Sequence, residues 1–261
     1  MRQRLGQHFL KNESALAKIA QACVGAGDVI IEIGPGHGEL TKYLAAGGAR
    51  VIALERDGAL SDELRKNKEC AGVEIITGNA LETFLVVVAR LKKEGVSYVV
   101  AGNIPYYITG HLLRTIGDLE YKPARVVLLV QKEVAQRMCA LPPRMNLLAA
   151  TVQIWSSPRI IFSVPRGSFA PPPDVDSAVV VLETAPLPFP AGFLPRYFSF
   201  ARALFKQPRK TIVNNLVSEK VVKREAAIFL CHRAGVAPLQ RPGTLDVGAV
   251  RTLFRLCVDS F

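Results

Sequence analysis

Strand-like and helix-like segments alternate through the first 180 residues of the chain, and this alternation limits the possible folds more than any other feature. The strand-like runs are short and apolar, and they cover residues 28–33, 50–54, 73–77, 98–101 and 125–131. Residues 39–46 and 61–68 have the apolar spacing of helices. Alternation of this kind favours a mostly parallel sheet with helices on both faces. The sequence therefore predicts an α/β protein with a Rossmann-like sheet.

The last part of the chain has a different character. Residues 149–154 and 177–182 are two further strand candidates, which predict a late antiparallel hairpin and a total of seven strands. Prolines at positions 186, 188, 190 and 195 then indicate a domain boundary. Helical spacing follows at residues 196–205, 211–218, 223–234 and 247–258. We expect a catalytic domain over residues 1–184 and a small helical domain over residues 185–261.

The positive charge of the chain is concentrated near its end. The 261 residues carry a formal net charge of +11. Residues 1–184 contribute +3 of this charge and residues 185–261 contribute +8. A basic surface favours a polyanionic partner, because binding to phosphates releases their counterions. A basic protein that has no such partner is the alternative that composition leaves open.

Other features exclude several classes of protein. The longest apolar runs, residues 84–89 and 126–130, are much shorter than the roughly 20 residues of a membrane-spanning helix. Residues 1–10 contain no apolar core of a secretory signal. Five scattered cysteines without a CxxC pair indicate reduced thiols in a cytoplasmic protein, and no histidine has the spacing of a metal ligand. We therefore expect no membrane segment and no metal site.

A glycine-rich turn ends the first predicted strand. Gly34, Gly36 and Gly38 let the backbone approach a ligand closely, and the carboxyl end of a parallel strand is where such sheets bind ligands. Glu55 ends the second predicted strand, where a carboxylate can accept both hydroxyls of a ribose. The glycines have the spacing GxGxG rather than the GxGxxG that is typical of dinucleotide-binding proteins. These residues predict a nucleotide-type ligand and leave NAD and S-adenosylmethionine as alternatives.

The fourth predicted strand leads into the tetrapeptide Asn103-Ile104-Pro105-Tyr106. Asn103 offers a side-chain carbonyl, Pro105 stiffens the turn, and Tyr106 offers an aromatic face. Methylation of an adenine amine needs hydrogen-bond acceptors and an aromatic face of this kind. Two acceptors that bind the amine hydrogens aim its lone pair at the methyl donor, and an aromatic ring holds the base by stacking. A strand-end turn whose residues only pack is the alternative for this motif alone.

Several blocks of the sequence resemble the ribosomal RNA adenine dimethyltransferases, which modify two adjacent adenosines near the 3′ end of small-subunit ribosomal RNA. The resemblance extends over nearly the whole chain. It is carried by residues 5–10 (LGQHFL), 32–38 (EIGPGHG), 103–106 (NIPY), 130–135 (VQKEVA), 168–178 (SFAPPPDVDSA), 209–211 (RKT) and 214–216 (NNL). It implies a class I methyltransferase that uses S-adenosylmethionine, works during ribosome biogenesis on RNA in an immature subunit, and is a monomer.

The resemblance also implies a role for individual residues. Asn103, Pro105, Tyr106 and Phe169 would form the catalytic site, with Phe169 as a second aromatic beside the base. The cofactor would be held by His8, Leu10, Gly34, Gly36, Glu55, Asn79 and Asn103. RNA phosphates would be bound by Lys132, Arg137, Arg209 and Lys210. The family usually has Asp at the position of Asn79, and because Asn carries no charge we expect a weaker bond to the cofactor adenine.

Four other functions remain open on sequence grounds. A related enzyme class methylates large-subunit ribosomal RNA, but the proline-rich loop and residues 209–216 argue against it. DNA adenine methyltransferases use a similar NPPY turn, but a separate target-recognition domain is missing here. An assembly factor that binds immature subunits without needing catalysis is a non-enzymatic alternative. A NAD dehydrogenase would explain the glycine turn but not residues 103–106.

Overall fold

The computed structural model describes residues 8–104 and 106–258, and Pro105 lies outside this description. The main sheet has seven strands in the order β4-β3-β2-β5-β6-β9-β7. Its strands are β2 (Val29–Ile33), β3 (Arg50–Glu55), β4 (Glu74–Thr77), β5 (Tyr98–Asn103), β6 (Arg125–Gln131), β7 (Ser156–Val164) and β9 (Ser177–Thr184). The pairs from β4 to β6 are parallel, and β9 is antiparallel to β6. The predicted fold class is confirmed.

Helices occupy most of the chain between the strands. They are α1 (Glu13–Cys23), α2 (Thr41–Ala46), α3 (Gly58–Lys66), α4 (Ala80–Glu94), α5 (Tyr106–Asp118), α6 (Lys132–Met138), α7 (Leu147–Gln153), α8 (Leu194–Leu204), α9 (Ile212–Ser218), α10 (Arg224–Arg233) and α11 (Val247–Val258). Side-chain caps fix several of their starts. Asn12, Asp57 and Asn79 each accept a bond from a backbone amide in the first turn of the helix that follows. None of the helices within the described residues is long and apolar enough to cross a membrane.

One predicted strand, residues 149–154, is wrong. Residues 149–153 lie in α7, and Ile154 follows its last residue. The helix begins after Asn146, whose side chain accepts a hydrogen bond from the amide of Ala149 at 3.1 Å. This helix cap outweighs the preference of the segment's β-branched residues for a strand. The strand begins later, at Ser156, and includes Pro158. A proline is tolerated there because β7 is the edge strand of the sheet.

Two short strands form a second sheet that the sequence did not predict. Strand β1 (Phe9–Leu10) is antiparallel to β8 (Phe169–Ala170), with Leu10 opposite Phe169. The amide of Lys11 donates to the carbonyl of Ser168 at 2.8 Å and extends the pairing by one residue. Strands of two residues have no periodicity, so no pattern in the sequence could indicate them.

The chain divides into two compact units. The first contains Met1–Ala135 with Pro158–Thr184, and the second contains Gln136–Ser157 with Ala185–Phe261. The expected division assigned residues 136–157 to the catalytic domain, and their packing groups them with the helical segment instead. Tyr197 of α8 is buried and its hydroxyl donates to the carbonyl of Ala150 in α7 at 3.0 Å. With this division the first unit carries a formal net charge of +1 and the second carries +10.

Candidate active site

A cavity of about 430 Å³ lies at the carboxyl ends of β2, β3 and β5. Strand β2 has β3 on one side and β5 on the other, so the strand order reverses here. Ligands of open α/β sheets bind at such a switch point. All seven of the predicted cofactor residues line this cavity, namely His8, Leu10, Gly34, Gly36, Glu55, Asn79 and Asn103. The structure therefore brings together residues that are separated by as many as 95 positions in the sequence.

The glycine turn and Glu55 form one connected wall. Gly36 has a φ of +60°, and a Cβ atom on it would lie 2.8 Å from the ring of Phe9, so a larger residue would clash. Glu55 is buried, and its Oε2 accepts the amide hydrogen of Gly36 at 3.1 Å. Its Oε1 accepts the amide hydrogen of Asp57 at 2.9 Å. Each carboxylate oxygen has a further lone pair, so Glu55 can hold the turn and still accept ribose hydroxyls.

Close contact between β2 and β5 positions Asn103. A Cβ atom on Gly102 would lie 2.6 Å from the carbonyl oxygen of Ile33, so only glycine fits between the strands. Next along β5, the side-chain Nδ2 of Asn103 donates to the carbonyl of His8 at 2.8 Å. This bond fixes the orientation of the amide and leaves its Oδ1 as an acceptor. The arrangement suits recognition of an amino group that carries hydrogens.

The segment at the start of the described chain forms another wall. His8 and Leu10 line the cavity, and the Nδ1 of His8 donates to the carbonyl of Pro171 at 2.9 Å. Phe169, by contrast, is 5% exposed and packs in the hydrophobic core with Leu10 and Leu16. It is not among the residues that line the cavity. In this structure Phe169 is a core residue, so its expected place beside a base remains a prediction.

Asn79 lines the cavity from the start of α4. Its Oδ1 accepts the amide hydrogen of Leu81 at 3.1 Å, and its Nδ2 donates to Glu82 at 3.0 Å. The oxygen keeps one lone pair for a ligand. The role expected for Asn79, acceptance of a bond from the cofactor adenine, is compatible with this geometry and remains a prediction.

Glu32 is a residue of the cavity that sequence reasoning missed. It lies in β2, is 1% exposed, and lines the cavity one residue before Ile33. The pKa of its carboxyl is raised to about 8, mainly by burial away from water and also by the nearby carboxylates of Glu39 and Glu55, against the lowering effect of a hydrogen bond from Thr41. The signal was present in the sequence, because Glu32 is the only charged residue in an otherwise apolar strand (VIIEI).

The other predicted residues lie outside the cavity or outside the description. Tyr106 is the first residue of α5, and its side chain is not described. Lys132 and Arg137 are exposed on α6, and Arg209 and Lys210 are exposed before α9. Lys132 belongs to the first compact unit and the other three belong to the second. Nothing in the structure tests their expected contacts with RNA.

The turn that carries Arg209 and Lys210 is held by one buried side chain. Asn215 has no exposed surface, and its Oδ1 accepts the amide hydrogen of Gln207 at 3.0 Å. Its Nδ2 donates to the carbonyl of Gln207 at 3.1 Å and to that of Thr211 at 3.2 Å. Asn215 therefore closes the turn at both ends and presents its two basic residues to solvent.

The cavity fits S-adenosylmethionine. The tight glycine turn leaves room for backbone contact, Glu55 offers acceptors to a ribose, and apolar side chains such as Leu81 and Ile104 line the remainder. No cluster of three or more metal-ligating side chains occurs in the described ranges. Beside the cavity, Asn103 is oriented to accept hydrogen bonds from an amine. The fold and the cavity together define a class I methyltransferase that uses S-adenosylmethionine.

Comparison with known proteins identifies the family. The sequence model for "Ribosomal RNA adenine dimethylase" matches residues 1–255. A ribosomal RNA small subunit methyltransferase A from Pelotomaculum thermopropionicum is 38% identical over 272 residues, which cover 100% of this chain and 91% of the relative. One from Dehalococcoides mccartyi is 37% identical over 249 residues, which cover 94% of this chain and 84% of the relative. The chain belongs to the ribosomal RNA adenine dimethylase family.

Solved structures agree with this fold. A dimethyladenosine transferase from Plasmodium falciparum has a TM-score of 0.75 at 24% identity and covers 94% of this chain and 96% of its own. The 23S rRNA methyltransferase ErmE has a TM-score of 0.71 at 23% identity, and the match covers 96% of this chain and 99% of ErmE. At these identities the likeness concerns the fold alone. Family membership confirms the predicted family, the methyltransferase activity, its cofactor and ribosomal RNA as the substrate.

Proposed function

We propose that this chain transfers methyl groups from S-adenosylmethionine to the N6 amines of two adjacent adenosines near the 3′ end of small-subunit ribosomal RNA. The products are dimethyladenosines formed during ribosome biogenesis. The observation that carries the proposal is the oriented amide of Asn103 beside the cofactor cavity. The choice of the small subunit is supported by relatives of 37% and 38% identity that are named for that activity.

Asn103 performs the central step of recognition. Because its Nδ2 is engaged by the carbonyl of His8, its Oδ1 accepts a hydrogen from the adenine N6 amine. The carbonyl of Ile104 is the second acceptor in this proposal. Two such bonds favour a pyramidal nitrogen and direct its lone pair toward the cavity. Bound S-adenosylmethionine supplies an electrophilic methyl group there. The surplus proton of N6 leaves to solvent, so no strong base is required.

The remaining residues hold the base and the cofactor. Tyr106 stacks on the adenine after the base has left its helix or loop, and Pro105 restricts the turn. Phe169 would serve as a second aromatic only after leaving its core position. Gly34, Gly36 and Glu55 bind the methionine and ribose portion. The wall from His8 to Leu10 and the Oδ1 of Asn79 complete the cofactor site.

RNA phosphates bind to Lys132, Arg137, Arg209 and Lys210 in this proposal. The second compact unit carries +10 of the net charge of +11, which favours a polyanion through counterion release. RNA in an immature subunit is the proposed form of the substrate, because two adjacent bases near a 3′ end must still be accessible. We further infer that the enzyme acts as a monomer in the cytoplasm, where ribosomal RNA is matured.

The test is methyl transfer by an Asn103→Ala variant. Purified immature small subunits are incubated with labelled S-adenosylmethionine, and primer extension maps the modified adenosines. We expect the wild type to modify two adjacent adenosines of the small-subunit RNA and the variant to lose at least about 100-fold in rate. Asn67→Ala is the matched control, because Asn67 caps a short helix and does not line the cavity. Full activity of Asn103→Ala, or modification of large-subunit RNA instead, would contradict the proposal.

A further inference from the structure

The glycine turn is in contact with a side chain of the N-terminal segment as well as with the cavity. The ring of Phe9 lies against Gly36, so closely that a Cβ atom on Gly36 would be 2.8 Å from its Cε1 atom and 3.1 Å from its Cδ1 atom. Gly36 also has a φ of +60°, a conformation that favours glycine. The glycine at this position therefore makes room for the Phe9 ring.

The next residue of the turn, His37, contacts the same ring from another side. The ring centroids of His37 and Phe9 are 4.7 Å apart, and the ring planes are tilted by 58°. Aromatic pairs prefer tilted or offset arrangements at such distances. The Nδ1 atom of His37 donates to the two carboxylate oxygens of Glu63 at 3.0 and 3.1 Å, because a carboxylate can only accept. His37 therefore connects the Phe9 ring to α3.

Phe9 belongs to a short segment, residues 8–11, that we call the strap. The first three residues of the strap line the cavity. Its strand pairing with β8 covers two residues, and the bond from the Lys11 amide to the carbonyl of Ser168 adds one more. The Nζ atom of Lys11 forms an ion pair with Glu39 at 2.7 Å. Because so short a strand pair is marginally stable, side-chain contacts must help to fix the strap.

His37 is suited to fix the strap without touching a ligand. It is not among the residues that line the cavity. Its pair with Glu63 is exposed, with 41% and 57% of the two side chains accessible, and an ion pair at this exposure contributes little to the stability of the whole fold. The effect of His37 is therefore local, on the position of the Phe9 ring and of the strap that carries it.

We propose that His37 is a positioning residue for the cofactor. Anchored by Glu63, it holds the ring of Phe9 against Gly36 and so keeps the strap closed at the edge of the cavity. The inference rests on the proposed function, since the strap borders the proposed cofactor cavity. It adds a contact of the glycine turn that acts on the protein rather than on the ligand. A strap that is held closed slows the release of the cofactor.

The experiment measures cofactor release from the full chain. Surface plasmon resonance gives the rates of association and dissociation of S-adenosylhomocysteine, and methyl transfer gives kcat and KM. We expect His37→Ala to raise the dissociation rate and the Kd about 3- to 10-fold. The KM for S-adenosylmethionine should rise by a similar factor, while kcat at saturating cofactor stays within about twofold. His232→Ala is the matched control, because His232 is an exposed histidine of α10 in the second compact unit.

Two further substitutions separate the ring of His37 from its anchor. His37→Phe keeps a ring beside Phe9 and loses the bond to Glu63, whereas His37→Gln keeps a donor for Glu63 and loses the ring. We expect the Kd of His37→Phe to lie within about threefold of the wild type and that of His37→Gln to match His37→Ala. Equal Kd values for these two variants would overturn the proposal.

A double-mutant cycle tests the contact between the two rings. Phe9→Leu removes the ring that His37 holds, so adding His37→Ala to it should raise the Kd for S-adenosylhomocysteine by less than about twofold. The same substitution in the wild-type chain should have its full effect. If the effects of the two single substitutions multiplied, His37 would act independently of Phe9 and the proposal would be wrong.

Hydrogen exchange shows whether the effect is confined to the strap. In cofactor-free His37→Ala the amides of residues 9–11 should exchange about 3- to 10-fold faster than in the wild type. The amides of Ile31 in β2 and Ile52 in β3, which are fully buried, should keep their wild-type rates. Loss of protection throughout the sheet would make His37 a residue that stabilises the fold in general and would overturn the positioning role.

Glu63→Ala decides the question if the His37 variants do not fold, because Glu63 is an exposed residue of α3. We expect it to raise the Kd for S-adenosylhomocysteine about two- to fivefold. An unchanged Kd with unchanged exchange of the strap would overturn the role of His37 and leave the proposed function intact. Failure of the wild type to bind S-adenosylmethionine or S-adenosylhomocysteine would overturn the proposed function together with this inference.

Discussion

The side-chain amide of Asn103 donates to the backbone carbonyl of His8 at 2.8 Å, although the two residues are 95 positions apart. The bond joins the end of a central strand to the segment that precedes β1. It determines which atom of the Asn103 amide faces an incoming base. The orientation of the key acceptor therefore depends on the N-terminal segment as well as on residues 103–106.

Replacing Asn103 by Asp tests this relationship. A carboxylate cannot donate to the carbonyl of His8 and would be repelled by it, so the acceptor geometry should be lost. We expect the kcat for methyl transfer to fall about 100-fold or more. The Kd for S-adenosylhomocysteine, measured by calorimetry, should rise as well, because Asn103 lines the cofactor cavity. An Asn103→Asp enzyme with nearly normal kcat would show that the bond to His8 does not orient the acceptor.

Replacing Gly102 by Ala tests the close contact of β5 with β2. The added Cβ would lie 2.6 Å from the carbonyl oxygen of Ile33, and the backbone would have to move. We expect the free energy of unfolding, measured with urea, to fall by about 1–3 kcal/mol. Gly110→Ala is the control, because a Cβ there meets no atom within 4 Å and the residue lies in α5, where Ala is favoured over Gly. Equal effects of the two substitutions would contradict the steric argument.

Replacing Asn215 by Ala tests the turn that presents Arg209 and Lys210. The substitution removes the buried partner of the Gln207 amide and carbonyl. We expect about 2–3 kcal/mol less stability and weaker binding of ribosomal RNA, with an unchanged Kd for S-adenosylhomocysteine. Asn214→Ala is the comparison, since the side chain of Asn214 bonds to the exposed Arg224 and its removal should cost less than about 0.5 kcal/mol. RNA binding that survives in a destabilised Asn215→Ala variant would argue against the turn as an RNA-binding element.

Charge reversal at Arg209 and Lys210 tests the proposal that RNA and the cofactor are bound by different parts of the chain. The double change to Glu should weaken RNA binding, and the slope of log K against log salt should become less steep by about 0.7–0.9 for each phosphate that the variant no longer binds. Cofactor binding should survive. Reversal of the exposed Lys92 and Lys93 on α4 is the charge-matched control. Parallel loss of RNA and cofactor binding in the Arg209 and Lys210 variant would refute this proposal.

The stability of the cofactor-free protein should depend on pH through Glu32. The pKa of this carboxyl is about 8 in the folded chain and near 4.5 in the unfolded chain, so between these values the folded chain holds one more proton. The free energy of unfolding therefore falls as pH rises, by about 1.4 kcal/mol per unit from this group, and the contribution is fully present below pH 4.5. Glu32→Gln should lack this slope in urea unfolding between pH 5 and 7.5. If the free energy of unfolding changed with pH in the same way in the wild type and in Glu32→Gln, the assignment of this slope to Glu32 would be contradicted.

The site could be predicted from sequence where its chemistry is local. The glycine turn with Gly36, the strand end at Glu55 and the tetrapeptide from Asn103 are each continuous in the chain. A parallel sheet brings its strand ends to one edge, so their meeting follows from the fold class. The resemblance to a known family then added His8, Leu10 and Asn79, which no local pattern singled out.

Features that depend on residues distant in the chain could not be predicted in this way. The pairing of Leu10 with Phe169 has no signal in either segment. Residues 136–157 join the helical unit through partners such as Tyr197, which follow only from tertiary packing. The raised pKa of Glu32 is also invisible in sequence, because it depends on burial and on the carboxylates that the fold places nearby.

The pairing of β1 with β8 sets the time at which the enzyme can acquire its cofactor. Phe169 and Ala170 are synthesised about 160 residues after the strand with which they pair. At ordinary rates of synthesis this interval is on the order of 10–30 s. Until it has passed, the cavity lacks the anchored wall from which His8 orients Asn103. A nascent chain should therefore be unable to hold the methyl donor until nearly the whole catalytic sheet has been made.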